Sequence, residues 1–231
     1  MKREILLALT VALGAACQQQ TTVNTNSAVM GNAMNHNSMM SSNSMNGNST
    51  MHHGDMPMDS NMSSMSDMKS SPNAANQPYD LQFIDTMMHH HQGAVEMAET
   101  VLTKSQNEEL KKFAQKIIND QNKEIAQMRD WREKWFAGKP AAMNMEMTGM
   151  ADSMKMMSGD EMKKWEASTG KDFDIHFLDM MTPHHAGAVT MAKEALTKSE
   201  QAEIKTLANQ IIKSQEAEIK QMAEWKAKWS K

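Results

Sequence analysis

The sequence predicts an all-α fold, a four-helix bundle assembled from two copies of a helical hairpin. Three observations predict it. Residues 79–135 return at 173–229 with a constant offset of 94 positions and about half of the residues identical, a duplication that governs every other reading. Within each copy, apolar residues recur at three- and four-residue spacing, the period of a helix with one buried face. No run of alternating apolar and polar residues marks a strand in that region.

The first 16 residues read as an export signal. Lys2 and Arg3 precede an apolar run from Ile5 to Leu13, and small residues Gly14-Ala15-Ala16 follow. That run is too short to span a bilayer. Cys17, the only cysteine, comes next. It fits a bacterial lipoprotein box, with lipidated Cys17 as the first mature residue and the lipid anchor as the sole membrane attachment. The usual aliphatic residue of that box is displaced to Leu13, so plain cleavage after Ala16 stays open. Residues 17–78 are dominated by Asn, Ser, Met and Gln. Such a stretch buries too little apolar surface to offset its ordering entropy and is predicted to be a disordered tail.

The first hairpin occupies 79–136. Its first helix is expected from about Asp80 to Lys104, with Phe83, Met87, His90, His91, Ala94, Met97 and Ala98 on one face. Ser105 followed by Glu108 has the form of a capping box for the second helix. That helix carries Leu110, Ala114, Ile117, Gln121, Glu124, Met128, Trp131 and Trp135 in a 4-3-4-3 rhythm. A Met-rich connector, 137–171, contains one short helix, Asp160–Ala167. The second hairpin fills 172–231, with Asp172 as N-cap and Ser199 opening its second helix. Short turns between long helices make antiparallel hairpins, and two of these close into a bundle. Gly93 and Gly187 sit in helix interiors at a cost of about 1 kcal/mol, which reads as close packing. Pro183 stands where the first copy has His89. It is expected to kink its helix or to start a new one capped by Thr182. The tryptophan pairs Trp131/Trp135 and Trp225/Trp229 read as packing at the bundle ends.

Met87, His90, His91 and Met97 share one broad helical face, and the copy repeats them as Met181, His184, His185 and Met191. Thioether sulfur and imidazole nitrogen are the soft-to-borderline donors that copper selects. The plainer alternative is methionine filling core beside histidines on an apolar surface. Recurrence of the whole set favours a metal. The two clusters form either one shared site or two. A turn centred near Ser105–Gln106 sets His90 level with Gln121, Met87 with Glu124 and Met97 with Ala114. Gln121 and Glu124, with their copies Gln215 and Glu218, interrupt an apolar seam. They are candidates to accept the outer N–H of metal-bound imidazoles, unless the helix turns them to solvent. In the tail, Met51, His52, His53, Met56 and Met58 are auxiliary donors where there is no core to fill. Sequence drift and sacrificial oxidation of methionine are the competing explanations there.

The segment Phe177-Leu-Asp-Met-Met-Thr-Pro-His-His-Ala-Gly-Ala-Val-Thr-Met-Ala192 resembles the signature of the domain of unknown function 305 family, and 83–98 is a second match. The stretch from Met157 to Phe173 is similar to what that family places ahead of its motif. The resemblance covers about 79–229. It implies a ferritin-like four-helix fold, copper binding and a part in copper resistance, with the eight Met and His residues above as ligands. Pro183 fits the family pattern and His89 departs from it.

The expected function is therefore an exported copper-binding protein of the bacterial cell envelope. It would sequester or deliver Cu(I) or Cu(II), and silver as well, in exchange with envelope proteins that export or accept copper. Catalytic residues are not expected. A net charge of −4 without a basic face excludes nucleic acid as a partner. A di-iron oxidase would need Glu-x-x-His pairs, and the chain contains none. A cuprous oxidase and a structural bundle with an antioxidant tail remain as alternatives, and the oligomeric state is left open.

Overall fold

The helical periodicity is realised in six α-helices, as described by a computed structural model covering residues 69–155, 157 and 159–231. They are α1 (Tyr79–Lys104), α2 (Glu108–Phe136), α3 (Met150–Lys155), α4 (Gly159–Ala167), α5 (Gly170–Lys198) and α6 (Ala202–Trp229). No strand occurs among the described residues. The export signal, Cys17 and the tail donors Met51, His52, His53, Met56 and Met58 lie outside them. Ordered chain begins before residue 79, in part of the segment read as disordered. Ala74–Asn76 form a short 3-10 turn, Ala74 is buried, and Ser71 N–H donates to Met143 O at 2.8 Å.

Helix starts differ from those expected. Asn107, not Ser105, caps α2, its Oδ1 accepting from the N–H of Glu109 and Leu110 at 3.0 and 3.3 Å. Ser105 is engaged elsewhere: its Oγ donates to Asp174 Oδ1 across the bundle at 2.7 Å. Ser199 likewise ends α5, and α6 begins only at Ala202. Asp172 lies in the first turn of α5, behind Thr169 at the N-cap, where its charge suits the helix dipole. Pro183 neither ends nor restarts its helix, because α5 runs unbroken through it. Thr182 does not cap; its Oγ1 donates back to Leu178 O at 2.7 Å.

The hairpins α1–α2 and α5–α6 meet through their first helices. The end of α1 reaches the start of α5 through Ser105 and Asp174, while Glu200 N–H donates to Asp80 Oδ2 at 3.3 Å. So α1 and α5 run antiparallel, and the duplicated Asp80 and Asp174 each hold the other hairpin's turn. Between α2 and α6, Phe113 meets Trp225 edge to face at 5.1 Å. Trp131 stacks on Trp135 and Trp225 on Trp229, at 5.3 and 5.2 Å. The apolar core falls into two clusters, one on each side of the helix midpoints.

The connector breaks this symmetry. Buried Asp85 accepts from Arg132 Nε at 3.3 Å and from Ala142 N–H at 2.8 Å, and Thr86 Oγ1 accepts from Asn144 N–H at 2.9 Å. The matching pair in the second repeat is only Asp179 with Lys226. Past Gly149, whose φ of +96° suits glycine, α3 settles on α5. It fits because Gly187 has no side chain: a Cβ there would overlap Ser153 Oγ and the Gly149 carbonyl.

Candidate metal centre

Midway along the α1–α5 contact, each helix contributes two adjacent histidines. His90, His91, His184 and His185 are all 2% exposed or less. The His90 and His184 rings face each other with centroids 3.8 Å apart. The neighbouring rings of each helix lie 6.3 and 6.2 Å apart. The two sequence clusters thus form one continuous layer.

Two carboxylates close the layer from outside. His91 Nε2 lies 2.6 Å from Glu124 Oε2, and His185 Nε2 lies 2.8 Å from Glu218 Oε2. The expected pairing of Met87 with Glu124 and His90 with Gln121 is corrected by one helical turn. The reason is geometric: side chains lean toward the N-terminus of their own helix. On antiparallel helices, His91 and Glu124 therefore lean toward each other. Gln121 and Gln215 are buried but bond no histidine, and neither side-chain polar atom of Gln121 has a partner.

Glu218 carries a further contact, Lys116 Nζ at 2.6 Å from Oε1. Gln210 occupies the matching position in the second repeat, so Glu124 lacks the equivalent lysine. Burial pushes the Glu218 carboxyl up, but its bonds to His185 and Lys116 outweigh that and hold it below its ordinary range. His90 and His184 are held well below the ordinary histidine value, first by burial and then by the neighbouring imidazoles. A weaker backbone contact between the two helices offsets part of this.

The methionines flank the layer. Met87 of α1 and Met191 of α5 belong to one apolar cluster, Met97 and Met181 to the other. Each side of the histidines therefore has one thioether residue from each repeat, and all four are fully buried. Met87 and Met181 stand one turn from their histidines; Met97 and Met191 stand about two turns away. Five ring nitrogens in the layer have no hydrogen-bond partner: Nδ1 of all four histidines and Nε2 of His184. No three His, Cys, Asp or Glu donors converge on one point among the described residues. A metal held here would accordingly draw on sulfur as well as nitrogen, which this donor set supplies. Two open hollows at the bundle ends, beside Asp174 and beside Asp80, contain none of these donors.

Sequence reading missed one polar partner. Ser153, from α3, lies 3.0 Å from His90 Nε2. It sits outside the duplicated hairpins in a helix of six residues, where no periodic signal marks it.

The family model for the domain of unknown function DUF305 matches residues 9–132 and 80–226. The chain belongs to the DUF305 family. Among solved structures it is similar to CopM with Cu(I) bound, at 37% identity and a TM-score of 0.54, covering 66% of this chain and 99% of CopM. It is similar to Cu(II)-bound CopM at 40% identity and a TM-score of 0.56, with the same coverage. CopM has also been solved with silver. A DUF305 protein of Streptomyces coelicolor, described as a candidate secreted protein, is 34% identical with a TM-score of 0.58, over 65% of this chain and 92% of its own. No curated protein matches the chain. The family and its all-α bundle thus agree with the sequence reading.

Proposed function

We propose that this protein binds copper in the histidine layer between α1 and α5 and serves as an exported sequestering or delivery protein of the cell envelope. One observation carries the reading: four fully buried imidazoles in one layer, five of whose nitrogens are unpartnered. A purely structural core has no use for them, since each unpartnered buried polar group costs about 1–3 kcal/mol. His90, His91, His184 and His185 are the nitrogen donors, and Met87, Met97, Met181 and Met191 the sulfur donors. Soft, mixed N/S coordination suits Cu(I) and silver, and imidazole also accommodates Cu(II). The similarity to CopM, solved with all three ions, supports the same choice.

The remaining parts of the reading follow from the N-terminal sequence. The signal-like N-terminus and Cys17 support a location on the exported side of the membrane, tethered there by lipid. Met51, His52, His53, Met56 and Met58 gather copper weakly and raise its concentration near the bundle. The bundle is a carrier rather than an enzyme, and copper-exporting or copper-accepting envelope proteins are its partners.

Anaerobic competition titration with a Cu(I) chelator tests this on the full chain. Changing His90, His91, His184 and His185 together to Ala is expected to abolish the tightest Cu(I) step. Changing the five tail donors is expected to leave that step in place. The reverse pattern would move the principal site to the tail and return the histidines to a packing role.

A further inference from the structure

The imidazoles of the layer are not held alike, and counting protons shows how. Ser153 is fully buried, and its Oγ lies 2.8 Å from Gly149 O, 3.4 Å from His184 O and 3.0 Å from His90 Nε2. A serine hydroxyl has one proton, and a carbonyl oxygen only accepts. With the Ser153 proton directed to Gly149 O, the nearest of the three at 2.8 Å, the serine oxygen accepts from His90. That places a hydrogen on His90 Nε2. A neutral imidazole has a single N–H, so the lone pair sits on Nδ1, which is buried and unpartnered. Glu124 and Glu218 act on His91 and His185 in the same way. A carboxylate accepts, so Nε2 donates and Nδ1 is left buried without a partner. Three rings reach one arrangement through three acceptors, only two of which belong to the duplicated hairpins.

We propose that Ser153 is a positioning residue of the copper site, fixing His90 so that Nδ1 offers its lone pair to the metal. The inference rests on the copper reading above and adds the atom that binds and the residue that selects it. Outer acceptors of this kind orient a ligating ring and raise its basicity, and losing one costs metal affinity roughly 10- to 100-fold. The position is built for the purpose. Ser153 reaches His90 only because α3 lies against α5 at Gly187, where no side chain has room. His184, whose two ring nitrogens are both unpartnered, has no such acceptor among the described residues. The connector therefore makes the two halves of a duplicated site chemically unequal.

The test uses the full chain with 15N-labelled histidine. In the metal-free protein the nitrogen shifts of His90, assigned by difference from His90→Gln, are expected to report hydrogen on Nε2. Ser153→Ala is expected to relax that preference and to weaken Cu(I) binding about tenfold, with the helical spectrum retained. Hydrogen on Nδ1 of His90 in the unaltered protein would overturn the proposal without reference to any variant. So would a Ser153→Ala protein that loses affinity while the His90 tautomer is unchanged, since that is a packing effect. Wild-type affinity in Ser153→Ala, while His90→Gln binds weakly, would also overturn it. If His90→Gln itself leaves Cu(I) binding unaltered, the copper reading fails first and takes this inference with it.

Discussion

His90 and His184 are neutral groups in a buried layer, and that makes the fold sensitive to acid. Both are held well below their ordinary value of 6.5, chiefly by burial. As pH falls through 6.5 the unfolded chain takes up protons that the folded chain refuses. Stability is thus fully present above that pH and is lost below it, down to the depressed folded values. Each such histidine contributes a slope of up to about 1.4 kcal/mol per pH unit. Urea unfolding of the metal-free protein is expected to show stability falling between pH 7 and pH 5. His90→Gln with His184→Gln is expected to flatten that slope; a flat profile in the unaltered protein would contradict the neutral layer. At this scale the sequence was informative for the duplicated residues only. The recurrence of His90, His91, His184 and His185 singled them out, and Glu124 and Glu218 were found as polar breaks in an apolar seam. Their partners were misassigned by a turn because Cα level and side-chain lean differ. Ser153 carried no signal, since its role depends on how a connector docks.

The four long helices are legible because they are written twice, and the single-copy α4, Gly159–Ala167, falls within one residue of the expected Asp160–Ala167. Repetition fixed α1, α2, α5 and α6 to within a few residues, while α3, Met150–Lys155, lies in single-copy sequence and was not foreseen. The start of α2 lies beyond the expected cap because a tertiary contact takes over the local capping group, whereas at α6 the Ser199 hydroxyl bonds only to Gln201 next to it. Ser105 looks like a cap but bonds Asp174 on the other hairpin at 2.7 Å. The reciprocal contact, Asp80 Oδ2 with Glu200 N–H, is longer at 3.3 Å. The two clamps are therefore unequal, although their residues are equivalent. Asp174→Ala is expected to cost about 1–2 kcal/mol of unfolding free energy, and Asp80→Ala less. Denaturant midpoints at unchanged m-value would measure both. An Asp80→Ala protein less stable than Asp174→Ala would show that the clamps do not set the contact between hairpins.

For the whole molecule, duplication supplies a symmetric frame and single-copy segments give it direction. Antiparallel α1 and α5 bring two copies of one motif together, so a pattern that reads as two clusters folds into one layer. Each side of that layer receives a methionine from each repeat. The connector then bonds Asp85, Thr86 and His90 of the first hairpin while its α3 packs on α5 of the second, so the two halves are not equivalent. Such an arrangement can offer copper a mixed set of nitrogen and sulfur from both hairpins. The most direct measurement is X-ray absorption at the copper edge, on the full chain loaded with one equivalent of Cu(I). The account expects imidazole nitrogen and thioether sulfur together around the metal, with the nitrogen lost when His90, His91, His184 and His185 are replaced by Ala. A shell of sulfur alone, or one identical in that variant, would contradict a copper site in the histidine layer.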